Sequence, residues 1–457
     1  MENIKLYQHQ KDVLEQCKDR NRVAFYLDMG LGKTFCGSEK MMQLKAKVNL
    51  VVCQKSQVDY WVNHIKKYYA THDRDYCAKE LIFDLTDRKQ LERFIYESNQ
   101  ATRVYYLVDE RTGEEYSQEN LYPYLIVGVI NYDKIWRRPE LLKLKDFTLL
   151  LDESSLIQNE TSKRSRAILK LKCKNVILLS GTPVGGKYEK AWSQMKLLGW
   201  NISKKLFWNH YVVTRTLSVF NKAMGKKRDV KIPVGYKNEE RLKAKMREYG
   251  CQFLKTEEVF DLPSQQFIEV AVKRTKDYNT FVKKKVLLKD DIAMVGDNTL
   301  SQMLYQRMLC GSYNHYKKDA LEDLLAGTSK RVIVFYNFKD ELKVIEDICV
   351  KLDKPLSIVN GSIKDLSVYE EYDDSVTAIQ YQAGSMGLNL QKANVIIYFT
   401  PPLSSEHYEQ SKKRIHRIGQ TSTCFYYNLI VKGSIEEKIY NVLAQRKDFT
   451  ERLFENK

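Results

Sequence analysis

Two successive series of short apolar runs, separated by stretches with helical spacing, constrain this chain more than any other feature. The first series is VAFYL (23–27), VNLVVC (48–53), LIVGVI (125–130), FTLLLDE (147–153) and NVILLS (175–180). The second is RVIVFYN (331–337), LSIVNG (356–361), VTAIQYQ (376–382), NVIIYF (394–399) and FYYNLIV (425–431). Near-continuous apolar runs suit strands buried on both faces, and the intervening helices suit crossovers, so each series predicts a parallel sheet. A chain of 457 residues also exceeds what one core normally organises. The expected fold is therefore α/β, with one sheet domain over 1–200 and another over 326–457. The second is closed by a C-terminal helix in GSIEEKIYNVLAQRKDFTERLF. Residues 201–325, rich in Lys, Tyr and helix formers, read as a helical insertion bridging the two. Within the first domain, RVYYLVDERTGEEYSQ reads as a hairpin turning at Arg111-Thr112-Gly113.

Charge narrows the partners. Lys plus Arg number 75 against 58 Asp plus Glu, a formal net charge of +17, which favours a polyanion, either nucleic acid or an anionic membrane. The start, MENIKLYQHQ, lacks the apolar core of a signal peptide, and no run reaches bilayer-spanning length. The expectation is a soluble intracellular monomer without a membrane partner, in the cytoplasm of a prokaryote or of a virus-infected cell. The 9 cysteines form no C-x-x-C pair and read as reduced, mostly buried thiols rather than a zinc or disulfide framework.

Four segments carry chemistry. In DMGLGKT the glycines allow backbone N–H groups to turn toward phosphate oxygens at the N-terminus of a helix. Gly30 and Gly32 shape that loop, Lys33 would reach the β/γ-phosphates, and Thr34 would ligate magnesium. The full Walker spacing is not met, because Asp28-Met29 stands at the loop start. In FTLLLDESS an apolar strand ends on two carboxylates, which suits Asp152 as a magnesium ligand and Glu153 as the base that activates water. A plain acidic turn is the competing reading for that pair taken alone. ILLSGTPV places Ser180 and Thr182 at the end of another strand, where small hydroxyls can sense a γ-phosphate. QSKKRIHRIGQ (410–420) places Arg414 and Arg417 three residues apart, on one face if the segment is helical. Guanidinium groups so paired suit the charge on a transferring phosphoryl group. A basic surface helix is the alternative.

The ordered set LYQHQ, DMGLGKT, LLLDESS, LSGTP, AGSMGLNL and QSKKRIHRIGQ resembles superfamily-two helicase-type motors, and within them the Swi/Snf-family DNA translocases. FLKTEEVFDLP and GSIEEKI support the resemblance, and D-x-G-x-G-K-T is the loop form of that family, which accounts for the departure at Asp28. The resemblance implies two RecA-like lobes that clamp ATP and Mg2+, with duplex DNA bound across them. It implies Gln8 as the reader of adenine and Gln410, with Arg414 and Arg417, as completing the site from the second lobe. Gly387 belongs to the fifth motif and is expected to serve nucleotide binding. By analogy, DNA-backbone contacts fall to Lys55, Ser56, Asn131, Tyr132, Tyr336, Asn337, Gly361 and Ser362.

Three departures stand out. DEAH or DEGH becomes DESS, with Ser155 in place of a His that links hydrolysis to the lobe interface. The fifth motif reads Gly384-Ser385-Met386-Gly387, and the central insertion is short, with no room for a histone-binding, nuclease or reader module. The implied function is a DNA-dependent ATPase that translocates along duplex DNA through lobe closure. The alternatives are a strand-separating DNA or RNA helicase, and a low-turnover ATP-gated nucleic-acid clamp or recruitment factor; a recruiting protein of unknown identity is the further partner considered.

Overall fold

The computed structural model describes residues 4–69, 81–101, 104–108, 115–119, 125–221, 226–289, 292–382 and 388–454. Both expected sheets form. The first has seven parallel strands in the order Cys251–Leu254, Arg22–Leu27, Asn175–Leu179, Thr148–Asp152, Val48–Cys53, Ile126–Asn131 and Leu81–Asp84. Its interior strands Val48–Cys53 and Ile126–Asn131 are buried at every position, so they read as near-continuous apolar runs; Asn49, buried inside the first, donates to the Ala46 carbonyl at 3.0 Å. The second sheet has six parallel strands in the order Gln265–Val272, Cys424–Val431, Val395–Tyr398, Val332–Tyr336, Val376–Gln380 and Leu356–Val359. Parallel neighbours carry their loops to the same sheet edge, so the carboxyl ends of the strands collect the sequence motifs of each unit.

The chain divides into two compact units at Val259/Phe260. The expected helical bridge over 201–325 is therefore corrected. Its first part belongs to the first unit and ends in the edge strand Cys251–Leu254, while its second part opens the other unit with the edge strand Gln265–Val272. It also holds a long antiparallel pair, Val212–Asn221 with Lys226–Tyr236. Lys and Arg interleaved with β-branched residues hid these strands, because ribbons and edges exposed to water need no continuous apolar run. A shorter antiparallel pair, Val286–Lys289 with Ile292–Val295, lies there too, beside helices at Lys204–Tyr211, Glu239–Glu248, Lys276–Lys284, Thr299–Cys310 and His315–Ala326.

The expected hairpin has its strands, Val104–Val108 paired antiparallel with Glu115–Glu119. Its turn at Arg111-Thr112-Gly113 lies outside the described residues. The C-terminal helix Ile435–Phe454 packs Ile439 and Leu443 into the core of the second unit. A fully buried ion pair fixes its start, with Lys317 Nζ 2.6 and 2.7 Å from the two carboxylate oxygens of Glu436. The eight described cysteines are buried free thiols, and no described helix is long and apolar enough to cross a membrane.

Candidate active site

The strand Arg22–Leu27 delivers the glycine loop to the sheet edge. Gly30 and Gly32 have φ of 88° and 74°, a region that favours glycine, and the helix Lys33–Gln43 starts directly after them. Gly32 has a second constraint, since a Cβ there would stand 2.1 Å from Gln10 Nε2. Gln10 is buried against the loop, donating from Nε2 to the Leu31 carbonyl at 3.1 Å and accepting from Tyr7 N at 3.0 Å. His9 Nε2 lies 3.1 Å from the same carbonyl. Gln8, expected beside the nucleotide, is exposed, and its Nε2 donates to Asp12 Oδ1 at 2.7 Å. Val13 and Leu14 are buried, so the residues three and four positions earlier, Gln10 and His9, share their face, and the Gln8 side chain is left toward water.

Asp28, the departure at the loop start, has a defined structural task. Its carboxylate accepts from Met29 N at 2.9 Å and from Thr256 Oγ1 at 3.0 Å. Thr256 lies in FLKTEEVFDLP, so that motif both adds the edge strand and ties down the loop. Lys33 Nζ donates to the carbonyls of Leu27 and Asp28 at 2.9 and 3.1 Å. Burial holds its pKa below the usual lysine value, against the opposing pull of Glu153, Asp28 and Asp152. Gly181 of the SGTP turn packs over this ammonium, where a Cβ would meet Nζ at 3.4 Å.

Asp152 ends the strand Thr148–Asp152, and Glu153 follows it. Asp152 Oδ2 accepts from Trp61 Nε1 at 2.8 Å. Burial raises the Asp152 pKa to about 6, opposed chiefly by that indole donor. Glu153 has left-handed backbone, φ 57°, which swings its side chain out of the strand line. Its Oε1 accepts from Ser180 Oγ at 2.6 Å and from Ser155 Oγ at 3.0 Å. Ser155 thus supports the candidate base directly, and Ser180 connects that base to the SGTP turn. Thr182 Oγ1 is buried without a partner among the described residues. Thr34 is the second residue of the helix Lys33–Gln43.

Sequence reasoning missed Gln10, Trp61, Thr256 and Gln194. Gln194 is a buried hub, accepting from Tyr26 Oη at 2.9 Å and Ser154 Oγ at 2.8 Å while donating to the Pro183 carbonyl at 2.6 Å. Trp61 carried a signal, since Val58, Trp61 and Ile65 mark one buried helix face and a buried indole N–H requires an acceptor.

In the second unit the helix Ser405–Lys412 ends before the arginines, so the expected shared helix face is corrected. Arg414 and Arg417 nevertheless converge, because both Nη1 atoms donate to the carbonyl of Leu388, at 3.3 and 3.4 Å. Burial lowers the pKa of Arg417 from its usual value. Gln410 is buried on the helix and donates to Glu406 Oε1 at 3.4 Å. Gly387 lies outside the described residues, as do Gly384, Ser385 and Met386.

The residues assigned to DNA by analogy separate into two groups. Lys55 and Ser56, in the 3-10 turn Lys55–Gln57, and Gly361 and Ser362 are exposed. Asn131, Tyr132 and Tyr336 are buried. Tyr132 Oη donates to the Asp152 carbonyl at 2.9 Å, bracing the carboxylate strand. Asn337 Nδ2 donates to Thr400 Oγ1 at 2.8 Å and to the Thr400 and Pro401 carbonyls. These side chains brace the loops at the ends of their strands.

The SNF2-related domain model matches residues 15–318, and the helicase conserved C-terminal domain model matches residues 316–419. The chain is 23% identical over 90% of its length to the SWI/SNF-related matrix-associated actin-dependent regulator of chromatin subfamily A member 1 of Mus musculus. It is 25% identical over 93% of its length to the DNA repair and recombination protein RAD26 of Saccharomyces cerevisiae. The matches cover 39% and 44% of those relatives, so the chain spans less than half of either. The solved Sulfolobus solfataricus SWI2/SNF2 ATPase core in complex with dsDNA aligns over 98% of this chain and 92% of its own, at 19% identity. Its TM-score of 0.43 is too low to carry an argument.

Proposed function

The chain belongs to the SNF2-related family of helicase-like ATPases, and on that premise we propose that it is a motor that spends ATP to move along duplex DNA. The observation that carries this reading is the Lys33, Asp152 and Glu153 cluster at one edge of the first sheet, with Glu153 fixed by Ser155 and Ser180. The loop suits a triphosphate. Two positive-φ glycines open backbone donors, Lys33 supplies the cation, and the partnerless Thr182 hydroxyl provides a further donor. A hydroxyl from Thr34 and a carboxylate from Asp152 form a hard oxygen set that fits Mg2+. When bound, that ion would neutralise charge between the β- and γ-phosphates.

Glu153 orients the attacking water and accepts its proton, and the two serine donors hold Oε1 so that the carboxylate does not swing away. Arg414 and Arg417, already gathered on one carbonyl, are placed against the γ-phosphoryl charge when the second lobe closes on the first. Duplex DNA is the partner this reading assigns, with Lys55, Ser56, Gly361 and Ser362 as exposed backbone contacts. The net charge of +17 favours such a polyanion, and both relatives act on DNA or chromatin by name. The Ser155 hydrogen bond argues against a low-turnover clamp, because it positions the base.

Movement without strand separation has a direct test. With ATP the protein is expected to displace a third strand from a DNA triplex while leaving a forked duplex paired. Fork opening as fast as triplex displacement would establish the unwinding helicase instead, and failure on the triplex would remove translocation.

A further inference from the structure

The antiparallel pair Val212–Asn221 and Lys226–Tyr236 is a ribbon rather than part of either sheet. Its strands of 10 and 11 residues extend roughly 30 Å at the usual rise per residue. Val213, Leu217 and Val230 on one face and Thr216, Ser218 and Lys231 on the other are exposed, so neither face is covered by the core. The register places Thr216 opposite Lys231 and Ser218 opposite Asp229, which puts these four on one face. Lys227 follows on the same face two residues beyond Asp229, whose carboxylate accepts from the Ser218 hydroxyl.

At the root of that face is a cavity of about 400 Å³, lined by Lys204, Lys205, Trp208, Asn209, Thr214 and Lys231 with Val212 at its base. Three ammonium groups meet one carboxylate there, since Lys204 pairs with Glu160 and stands 5.6 Å over the Trp208 ring. Lys205 and Lys231 have no ion pair among the described residues. Trp208 Nε1 is buried and has no hydrogen-bond partner among the described residues. Two free ammoniums, an indole N–H, an amide and a hydroxyl form a donor set for a phosphate oxygen.

We propose that this pocket and the hydroxyl- and lysine-bearing face leading from it form a second phosphate-binding surface of the first lobe, which takes the backbone of duplex DNA. The assignment rests on the DNA reading above and adds a surface outside the sequence motifs. A single pocket would suit any small phosphate. The continuation of the face through Thr216, Lys231 and Lys227 suits a polymer of phosphates, and a two-stranded ribbon has the dimensions to enter a major groove.

The test uses the whole chain and the double variant Lys205→Gln/Lys231→Gln, with unchanged Tm as the folding control. Two lost phosphate contacts make the slope of log affinity for duplex against log salt shallower by about two. The Trp208 indole N–H resonance, assigned with Trp208→Phe, is expected to shift with a short duplex in the parent chain and to stay in place in the double variant. DNA-free ATP turnover should be unchanged. An unaltered salt slope in a parent-like duplex binder overturns the ribbon assignment and leaves the motor reading standing. A full indole shift with inorganic phosphate at equal phosphate concentration also overturns it, in favour of a small-anion site. A parent chain that binds no duplex removes both.

Discussion

Glu153→Gln is expected to bind ATP with near-parental affinity and to lose turnover by roughly two to four orders of magnitude, the usual contribution of a positioned general base. The size of the effect follows from what the substitution keeps. A glutamine carbonyl oxygen can still accept from Ser155 and Ser180, so the two hydrogen bonds at 3.0 and 2.6 Å persist and the loop holding Lys33 is undisturbed. What disappears is the capacity to take a proton from water. Equilibrium binding of a fluorescent ATP analogue beside steady-state phosphate release measures both properties. Parental phosphate release from this variant would remove Glu153 as the base.

The second large effect concerns Arg414 and Arg417. Inserted arginines in phosphoryl transfer contribute about a thousandfold or more in rate, so loss of either should cut turnover on that scale while ATP affinity, set mainly by the first unit, changes little. Arg417→Lys is the informative variant. It keeps the positive charge but replaces a planar fork that can span two phosphate oxygens with a single ammonium. Both guanidinium groups also hold the Leu388 carbonyl, and Arg414 is buried, so thermal unfolding must accompany the kinetics. A folded protein with parental affinity and collapsed turnover fits the catalytic role. Full turnover in Arg414→Ala, Arg417→Ala and Arg417→Lys would return the segment to a structural one.

These sites differ in how openly the sequence displayed them. The two sheets were legible because strands buried on both faces are almost wholly apolar, as in VNLVVC and FTLLLDE, where Asn49 and Thr148 are the buried polar exceptions. Lys33, Asp152 and Glu153 were legible as candidates because phosphate and metal chemistry calls for those residue types at strand ends, and the structure brings the three near one another. The supporting residues were less visible. Gln10 is recoverable from helix phase, since Val13 and Leu14 define its face. Thr256 and Gln194 act at sequence separations of 228 and 40 residues from Asp28 and Ser154, beyond any local pattern. The arginine spacing suggested a helix that stops at Lys412, and convergence arises instead from a shared carbonyl. Ribbon and edge strands between 201 and 325 escaped notice because strands with wet faces carry lysines that mimic helical composition.

The central claim is that ATP hydrolysis in this chain is coupled to duplex DNA. Steady-state phosphate release by the unmodified protein, measured with no nucleic acid, with duplex DNA and with RNA at one fixed salt concentration, tests it most directly. Strong stimulation by duplex DNA, weaker stimulation by RNA and loss of the DNA effect as salt rises are the predicted results. A rate indifferent to duplex DNA at low salt would contradict the account.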